Sequence, residues 1–291
     1  MLKEISISIQ GFLLGLGVVS YFFFECTHLY LPAAEWEREN ALIYCILFYI
    51  CVNIFLFVLF RGDDWQVAVR ACFIGNFFGI GIIISALPPW SYKLFGFYLI
   101  ILSFFHFSEY LLTAITNPSN LSLDSFLLNH SVSYWVAACC SWIEFFLERW
   151  LLTSYKEYWY VSVIGIIICI LGEITRKLAM ITANTNFNHI VQVNREESHE
   201  LVTWGIYRLF RHPSYVGWFW WSVGTQIVLL NPICFIGYAI TSWYFFYVRV
   251  YFEEMMLIRF FGQKYVDYKR KVGTGLPFIS GYYYKPVESP N

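Results

Sequence analysis

Long apolar stretches, separated by short polar segments, dominate the sequence. A helix that spans a bilayer needs about 20 predominantly apolar residues, and eight stretches of about this length occur. They cover residues 6–24, 41–60, 67–87, 94–116, 126–147, 158–179, 214–230 and 232–250. The pattern therefore predicts an all-α integral membrane protein with about eight transmembrane helices.

The boundaries of the first and last stretches carry further signals. Asn231-Pro232 separates the last two stretches, and because proline cannot continue a helix with a normal hydrogen bond, we expect a tight helical hairpin there. The first stretch could be a signal peptide. However, only Lys3 and Glu4 precede it and no small-residue cleavage site follows before Glu25, so we interpret it as a membrane span.

The composition agrees with a chain that faces lipid. Hydrophobic residues make up 58% of the chain and charged residues only 13%, against roughly 25% charged residues in soluble domains. The net charge of -1 argues against a nucleic-acid partner, which requires a positive excess. The eight cysteines lack metal-site spacing and lie mostly in apolar runs, so we interpret them as small buried hydrophobic residues.

The distribution of Lys and Arg predicts the orientation in the membrane. With eight spans both termini share one side, and most of the 19 Lys and Arg residues fall on it. This predicts cytosolic termini and a cytosolic segment 180–213, and it accounts for Arg208 without any further role. Because polar residues are concentrated after Arg176, we expect residues 1–157 to form a bundle of about five spans and residues 158–291 to carry the function.

The polar segment 182–212 is a candidate ligand site. It contains His189, His199 and His212, but no His-x3-His or His-Glu-x-x-His pattern, so we expect no metal there. Pro213 suits the first position of the next helix. The free N–H groups and positive dipole of that helix end would face the cytosol and favour an anion or a carboxylate-bearing small molecule.

A second polar cluster follows the last apolar stretch. Leu257, Phe261 and Tyr265 recur at helical spacing within residues 249–272, which predicts an amphipathic helix on or against the membrane. Arg249 and Glu253 are four residues apart and share a helix face. They form either a salt bridge with a snorkelling arginine or a charge pair that faces a cavity.

Other ionisable residues interrupt the apolar stretches. Asn129, His130 and Glu144 make the fifth stretch the least regular, and Glu109 and Glu173 lie inside the fourth and sixth. Such residues are often functional in a bilayer, but interhelical hydrogen bonds by protonated carboxyl groups explain them equally well. We assign them no role.

Three segments together resemble the isoprenylcysteine carboxyl methyltransferase family. They are NFNHIVQ (186–192), HELVTWGIYRLFRHPSYVGWFWWSVGTQIVLLNP (199–232) and FEEMMLIRFFGQKYVDYKRKV (252–272). The resemblance covers roughly residues 160 to 280, and the length and span count fit the animal form. The Arg-His-Pro-x-Tyr-x-Gly motif alone is weak, because sterol reductases and phospholipid methyltransferases carry related signatures.

The resemblance implies methylation of the C-terminal prenylcysteine of processed CaaX proteins, such as small GTPases, in the endoplasmic reticulum membrane. It implies S-adenosylmethionine as the methyl donor, with an active site and both termini in the cytosol. Residues 158–291 would then be the catalytic core. Arg249 matches the residue expected near the substrate carboxylate, and Arg176 is a weaker candidate. The positions that match donor-binding residues are Gln192, His199, Glu200, Leu201, Val202, Tyr207, His212, Pro213, Ser214, Tyr215 and Glu253.

Three alternatives remain at the level of sequence. One is a membrane sterol reductase that uses NADPH, and another is a phospholipid N-methyltransferase. The third is a transporter or receptor without chemistry, for which symmetric halves and charged residues at the membrane midplane would be expected. The polar residues of this chain are instead gathered at one end.

Overall fold

The computed structural model describes residues 2–20, 41–86, 89–128, 131–197 and 199–283. Within these ranges all regular secondary structure is helical, and no β-strand is present. The all-α fold class predicted from the apolar pattern is therefore confirmed.

The described ranges contain nine α-helices. They are α1 (Leu2–Leu16), α2 (Ala41–Leu59), α3 (Gly62–Ala86), α4 (Trp90–Thr116), α5 (Val132–Leu151), α6 (Trp159–Ala183), α7 (Pro213–Leu229), α8 (Pro232–Phe261) and α9 (Gln263–Lys271). Each predicted apolar stretch overlaps one of the first eight helices. Within the described residues, the segments long and apolar enough to cross a membrane are Leu2–Val19, Gly62–Ala86, Trp90–Thr116 and Pro232–Phe261. The number of eight spans stays a prediction.

The start of α5 and the end of α8 differ clearly from their predicted positions. A 3₁₀ turn occupies Leu123–Phe126 and α5 begins only at Val132, whereas Asn129 and His130 lie outside the described residues. Helix α8 does not end near residue 250 but continues to Phe261, because no glycine or proline occurs between residues 250 and 261. Gly262 has a positive φ of 56°, which breaks the helix and separates α9. The predicted surface helix is therefore mostly an extension of the last apolar helix.

The chain forms two compact units, the first consisting of Met1–Ile164 with Val228–Asn231. In this unit α1 and α3 are in close contact at Gly11 and Gly15. A Cβ atom at either glycine would overlap the backbone carbonyl of Ala68 or Cys72. Such close backbone approach between small residues is typical of helices packed within membranes.

A buried lysine ties several parts of the first unit together. The Lys156 ammonium is fully buried and lies 2.6 Å from the carboxylate of Glu148. It also donates to the carbonyls of Leu229 and Leu230 at 2.9 Å and to Oδ1 of Asn231 at 3.0 Å. A cation at the carbonyl end of a helix complements its dipole, so Lys156 stabilises the turn at Asn231-Pro232.

The second unit consists of Gly165–Ile227 and Pro232–Asn291. Helices α6 and α7 approach each other at Gly172 and Gly217, where an added Cβ would come within 2.5–2.8 Å of backbone atoms of the facing helix. One hydrophobic cluster joins α7, α8 and the C-terminal segment. Its buried members are Val216, Phe219, Val223, Phe246, Val250, Leu276 and Ile279. This packing fixes the helices from which the site residues project.

Candidate functional site

A cavity of about 100 Å³ lies within the second unit. It is smaller than typical small-molecule sites, which have volumes of roughly 300–1,000 Å³. The wall combines polar and apolar side chains: Asn186, Asn188, Ile190, Val191, Gln192, His199, Glu200, Tyr215, Glu253, Met256, Leu257, Phe260 and Phe261. Five of the predicted donor-binding residues are among them, namely Gln192, His199, Glu200, Tyr215 and Glu253.

The hydroxyl group of Tyr215 links the two charged residues of α8 that share a helix face. It donates to Oε2 of Glu253 at 2.5 Å and accepts from Nε of Arg249 at 2.8 Å. Nη2 of Arg249 also donates to the carbonyl of His189. The sequence left open a salt bridge with a snorkelling arginine or a charge pair that faces a cavity. The structure shows Arg249 and Glu253 connected through the Tyr215 hydroxyl, beside a cavity that Glu253 lines.

His212 lies behind this group, outside the cavity wall. Its ring is parallel to that of Tyr215, with centroids 5.4 Å apart. Nδ1 is 3.6 Å from Oε2 of Glu253 and Nε2 is 3.3 Å from Oε1 of Glu254. His212 therefore bridges two adjacent carboxylates and contacts the site through Tyr215 and Glu253.

A buried ion network surrounds Glu254, a residue that the sequence analysis did not assign to the site. Nε and Nη2 of Arg211 each lie 2.9 Å from Oε1 of Glu254, and Lys269 pairs with Oε2. The amide of Tyr282 donates to the same carboxylate at 2.8 Å. In the sequence, only the adjacent pair Glu253-Glu254 pointed to this network, because Arg211 and Lys269 are 43 and 15 residues away from Glu254.

Arg176, the weaker candidate for a carboxylate contact, is not among the residues that line the cavity. It is 2% exposed, and Nη1 donates to Oγ of Ser214 at 2.7 Å. Its guanidinium lies 4.8 Å from the ring centroid of Trp218. Arg176 and Ser214, both predicted site residues, thus contact each other.

The remaining predicted residues are not among those that line the cavity. Val202 is buried, Leu201 is half-buried, and Pro213 begins α7 as expected. The carbonyl of Tyr207 accepts a hydrogen bond from the hydroxyl of Tyr268 at 2.6 Å. Burial raises the pKa of Tyr207, so its phenol stays neutral. Of the first turn of α7, only Tyr215 lines the cavity, and the ligand expected at this helix end remains a prediction.

Three hydrogen bonds hold the polar segment in place, one to α8 and two within the segment. Nη1 of Arg195 donates to the carbonyl of Phe260 at 2.9 Å, and the amide of Glu200 donates to Oδ1 of Asn186 at 2.8 Å. The amide of Glu196 donates to Nδ1 of His199 at 3.3 Å. These local contacts place Glu200 and His199 in the cavity wall.

The apolar wall shows where the predicted amphipathic helix faces. Leu257 and Phe261, together with Met256 and Phe260, line the cavity, and Tyr265 is buried in the protein. Sequence periodicity identified this apolar face but assigned it to the membrane, because periodicity does not reveal which surface covers a helix. The fold provides that surface.

The other buried carboxylates are not among the residues that line the cavity. Glu109, Glu144 and Glu173 are all buried, and Glu173 pairs with Lys177 at 3.2 Å. No group of three or more His, Cys, Asp or Glu residues suited to a metal ion occurs in the part of the chain that the structure describes.

Fold and site together define a helical membrane protein with a pocket of mixed polarity in its second unit. The model of the isoprenylcysteine carboxyl methyltransferase (ICMT) family matches residues 163–259. A solved structure of the eukaryotic intramembrane Ras methyltransferase ICMT superposes with a TM-score of 0.89 at 44% identity, covering 96% of this chain and 99% of that one.

Relatives match over most of the chain. The protein-S-isoprenylcysteine O-methyltransferase of Xenopus laevis is 49% identical over 293 residues, covering 98% of both chains. That of Homo sapiens is 47% identical over 280 residues, covering 96% of this chain and 94% of its own. That of Saccharomyces cerevisiae is 42% identical over 206 residues, covering 69% and 86%. This chain belongs to the isoprenylcysteine carboxyl methyltransferase family.

Proposed function

We propose that this chain is a protein-S-isoprenylcysteine O-methyltransferase that methylates the C-terminal carboxylate of prenylated cysteine in processed CaaX proteins, small GTPases among them. S-adenosylmethionine is the donor. The observation that carries the proposal is the hydrogen-bonded group of Arg249, Tyr215 and Glu253 beside a cavity of mixed polarity. Family membership and the apolar helices support a membrane-bound enzyme with this activity.

The cavity residues fit an adenosyl sulfonium chemically. Glu200 and Glu253 offer carboxylates to an amino group, hydroxyl groups or a positive sulfur, and Gln192 offers an amide. Met256 and Phe260 supply an apolar surface for a flat base. These residues would hold the donor, which supplies a methyl group activated by the positive charge on sulfur. His199 would contribute a hydrogen bond rather than acid–base catalysis.

The substrate carboxylate needs orientation rather than activation. An α-carboxyl group has a pKa of about 3.3–3.7, so it is ionised at neutral pH and no general base is required. Arg249 is well placed to orient it, because Tyr215 and His189 use only two of the five guanidinium N–H donors. Charge-assisted hydrogen bonds from the other donors would fix the carboxylate at near-attack geometry.

The two reactants differ in polarity, which sets where the enzyme would act. S-adenosylmethionine and CaaX proteins are cytosolic, whereas a prenyl chain favours the bilayer. We therefore propose that the donor reaches the cavity from the cytosol and the prenyl chain enters laterally between helices, in the endoplasmic reticulum membrane. The predicted cytosolic placement of both termini and of segment 180–213 supports this orientation. Glycosylation mapping that places His199 in the lumen would contradict it.

The decisive assay is transfer of radiolabelled methyl from S-adenosylmethionine to a farnesylcysteine analogue by the purified full-length chain. We also expect S-adenosylhomocysteine, but not NADPH, to raise the melting temperature. Stabilisation by NADPH alone would indicate the reductase alternative. Methylation of phosphatidylethanolamine in place of farnesylcysteine would indicate a phospholipid N-methyltransferase.

A further inference from the structure

The C-terminal segment packs into the interior of the second unit instead of leaving it after α9. Leu276 and Ile279 are buried in the hydrophobic cluster of α7 and α8. The indole N–H of Trp243 donates to the carbonyl of Pro277 at 2.7 Å. An irregular segment thus reaches the flank of α8 at Trp243.

Trp243 marks a position well inside the apolar part of α8. It lies seven residues before the predicted cytosolic end of this span at residue 250, which corresponds to about 10 Å along a helix. The nearby side chains of Ile240 and Tyr244 are each 63% exposed, as expected for a helix surface that faces lipid. With the predicted end of the span at residue 250, the contact with Pro277 puts the C-terminal segment at the depth of the hydrocarbon.

Most backbone carbonyls of this segment are hydrogen-bonded, which lowers the cost of irregular structure in hydrocarbon. The carbonyls of Gly273 and Thr274 accept from the amides of Arg211 and His212. The carbonyl of Leu276 accepts from the Ile279 amide, that of Pro277 from Trp243, that of Ile279 from the Thr274 hydroxyl, and that of Ser280 from Arg211. Within this segment, the carbonyls of Gly275 and Phe278 are the two that accept no hydrogen bond from any described residue.

Phe278 is the residue of this segment that points outward. It is 96% exposed and has a φ of 57°, an uncommon conformation for a bulky residue with a Cβ atom. Its neighbours Leu276 and Ile279 are buried, so the backbone is held in a shape that directs one aromatic ring away from the protein. In water this exposure would bring no benefit, whereas in a bilayer it removes a large apolar side chain from water.

We infer that residues 274–279 form a re-entrant loop at the lipid boundary and that Phe278 contacts bilayer lipid. Gly275 and Gly281, with φ values of 89° and 82°, provide the backbone turns on either side of Phe278. The Glu254 network then fixes the returning chain through the amide of Tyr282. The inference concerns lipid contact and does not depend on the proposed methyl transfer.

Site-specific photocrosslinking tests the loop directly. The full chain is reconstituted in phosphatidylcholine nanodiscs with Phe278→p-benzoylphenylalanine, irradiated, and analysed by mass spectrometry for lipid adducts. Ile240→p-benzoylphenylalanine on the exposed face of α8 is the positive control. Gln263→p-benzoylphenylalanine, at an exposed position of α9, is the matched control outside the apolar stretch.

We expect lipid adducts at positions 278 and 240 in comparable yield, and at least about fivefold less at position 263. Absence of lipid adducts at 278 when 240 gives them would overturn the inference, as would crosslinking of 278 only to an added farnesylcysteine analogue. Since Phe278 is exposed, all three variants should melt like the parent chain. The readout is independent of enzyme activity, so it remains interpretable even if the proposed function fails.

A second measurement uses the polarity of the side chain. Phe278→Asp should lower the melting temperature in nanodiscs, whereas Phe278→Leu should leave it unchanged, because only the carboxylate is excluded from hydrocarbon. Identical melting of both variants would argue for a water-exposed loop and against the inference.

Discussion

The imidazole of His212 lies parallel to the phenol ring of Tyr215, with ring centroids 5.4 Å apart and only 2° between the planes. Because His212 also contacts Glu253 and Glu254, the orientation of the Tyr215 ring is set from behind the cavity. The Tyr215 hydroxyl in turn holds Arg249. The position of the arginine proposed to bind substrate is therefore determined by a chain of contacts that begins outside the cavity.

Replacement of Arg249 tests the proposed carboxylate contact. Arg249→Ala should lower kcat/KM for a farnesylcysteine analogue by about 100-fold or more, the usual cost of losing a charged donor at a reacting group. Arg249→Lys should recover only part of this, because a lysine lacks the planar fork. Arg259→Ala, at an exposed position of the same helix, should retain parental activity. Full activity of Arg249→Ala in detergent would contradict the assignment.

The bridge through Tyr215 predicts coupling between two side chains. Tyr215→Phe and Glu253→Ala should each lower kcat/KM, and the double variant should lose less than the product of the single effects, because both remove the same 2.5 Å hydrogen bond. A double-mutant cycle on methyl transfer measures this coupling. Strictly additive losses would mean that the two residues act independently.

The buried carboxylate of Glu254 should be more important for stability than an exposed one. Glu254→Gln leaves the buried Arg211 and the half-buried Lys269 with a missing counter-charge, and loss of one partner from a buried network costs about 3–5 kcal/mol. Thermal unfolding followed by tryptophan fluorescence measures the effect.

Asp267→Asn is the matched control for Glu254→Gln. The partly exposed pair of Asp267 with Arg270 spans 3.6 Å, and such pairs contribute about 0–1 kcal/mol. Equal melting temperatures for the two variants would show that the network around Glu254 contributes no more to stability than the exposed pair.

Replacement by alanine should affect stability differently at two glycines, one at the close approach of α6 and α7 and one on an open face of α8. Gly217→Ala should destabilise the chain, because the new Cβ would lie 2.7 Å from the backbone nitrogen of Arg176. Gly237→Ala in α8 meets no atom within 4 Å and should be neutral or stabilising by up to about 1 kcal/mol. Parallel melting curves of both variants check this. A stable Gly217→Ala protein would exclude the tight helix contact.

The sequence by itself determined the helical class, the approximate position of each helix, and several local boundaries. Apolar length decides whether a segment forms a membrane-type helix, so the eight stretches were readable without any tertiary information. Local chemistry decided that Pro213 begins α7 and that Gly262 ends α8. The resemblance of segments 186–192, 199–232 and 252–272 together was sufficient to indicate the family.

Only the tertiary structure decided which residues meet. Glu254 joins Arg211 and Lys269, and Pro277 joins Trp243, across intervals of 43, 15 and 34 residues. Hydrophobic periodicity describes one helix at a time and carries no information on such distant pairs. Nor can it distinguish an apolar face covered by protein, as at Leu257, from one covered by lipid, since both remove the same side chains from water.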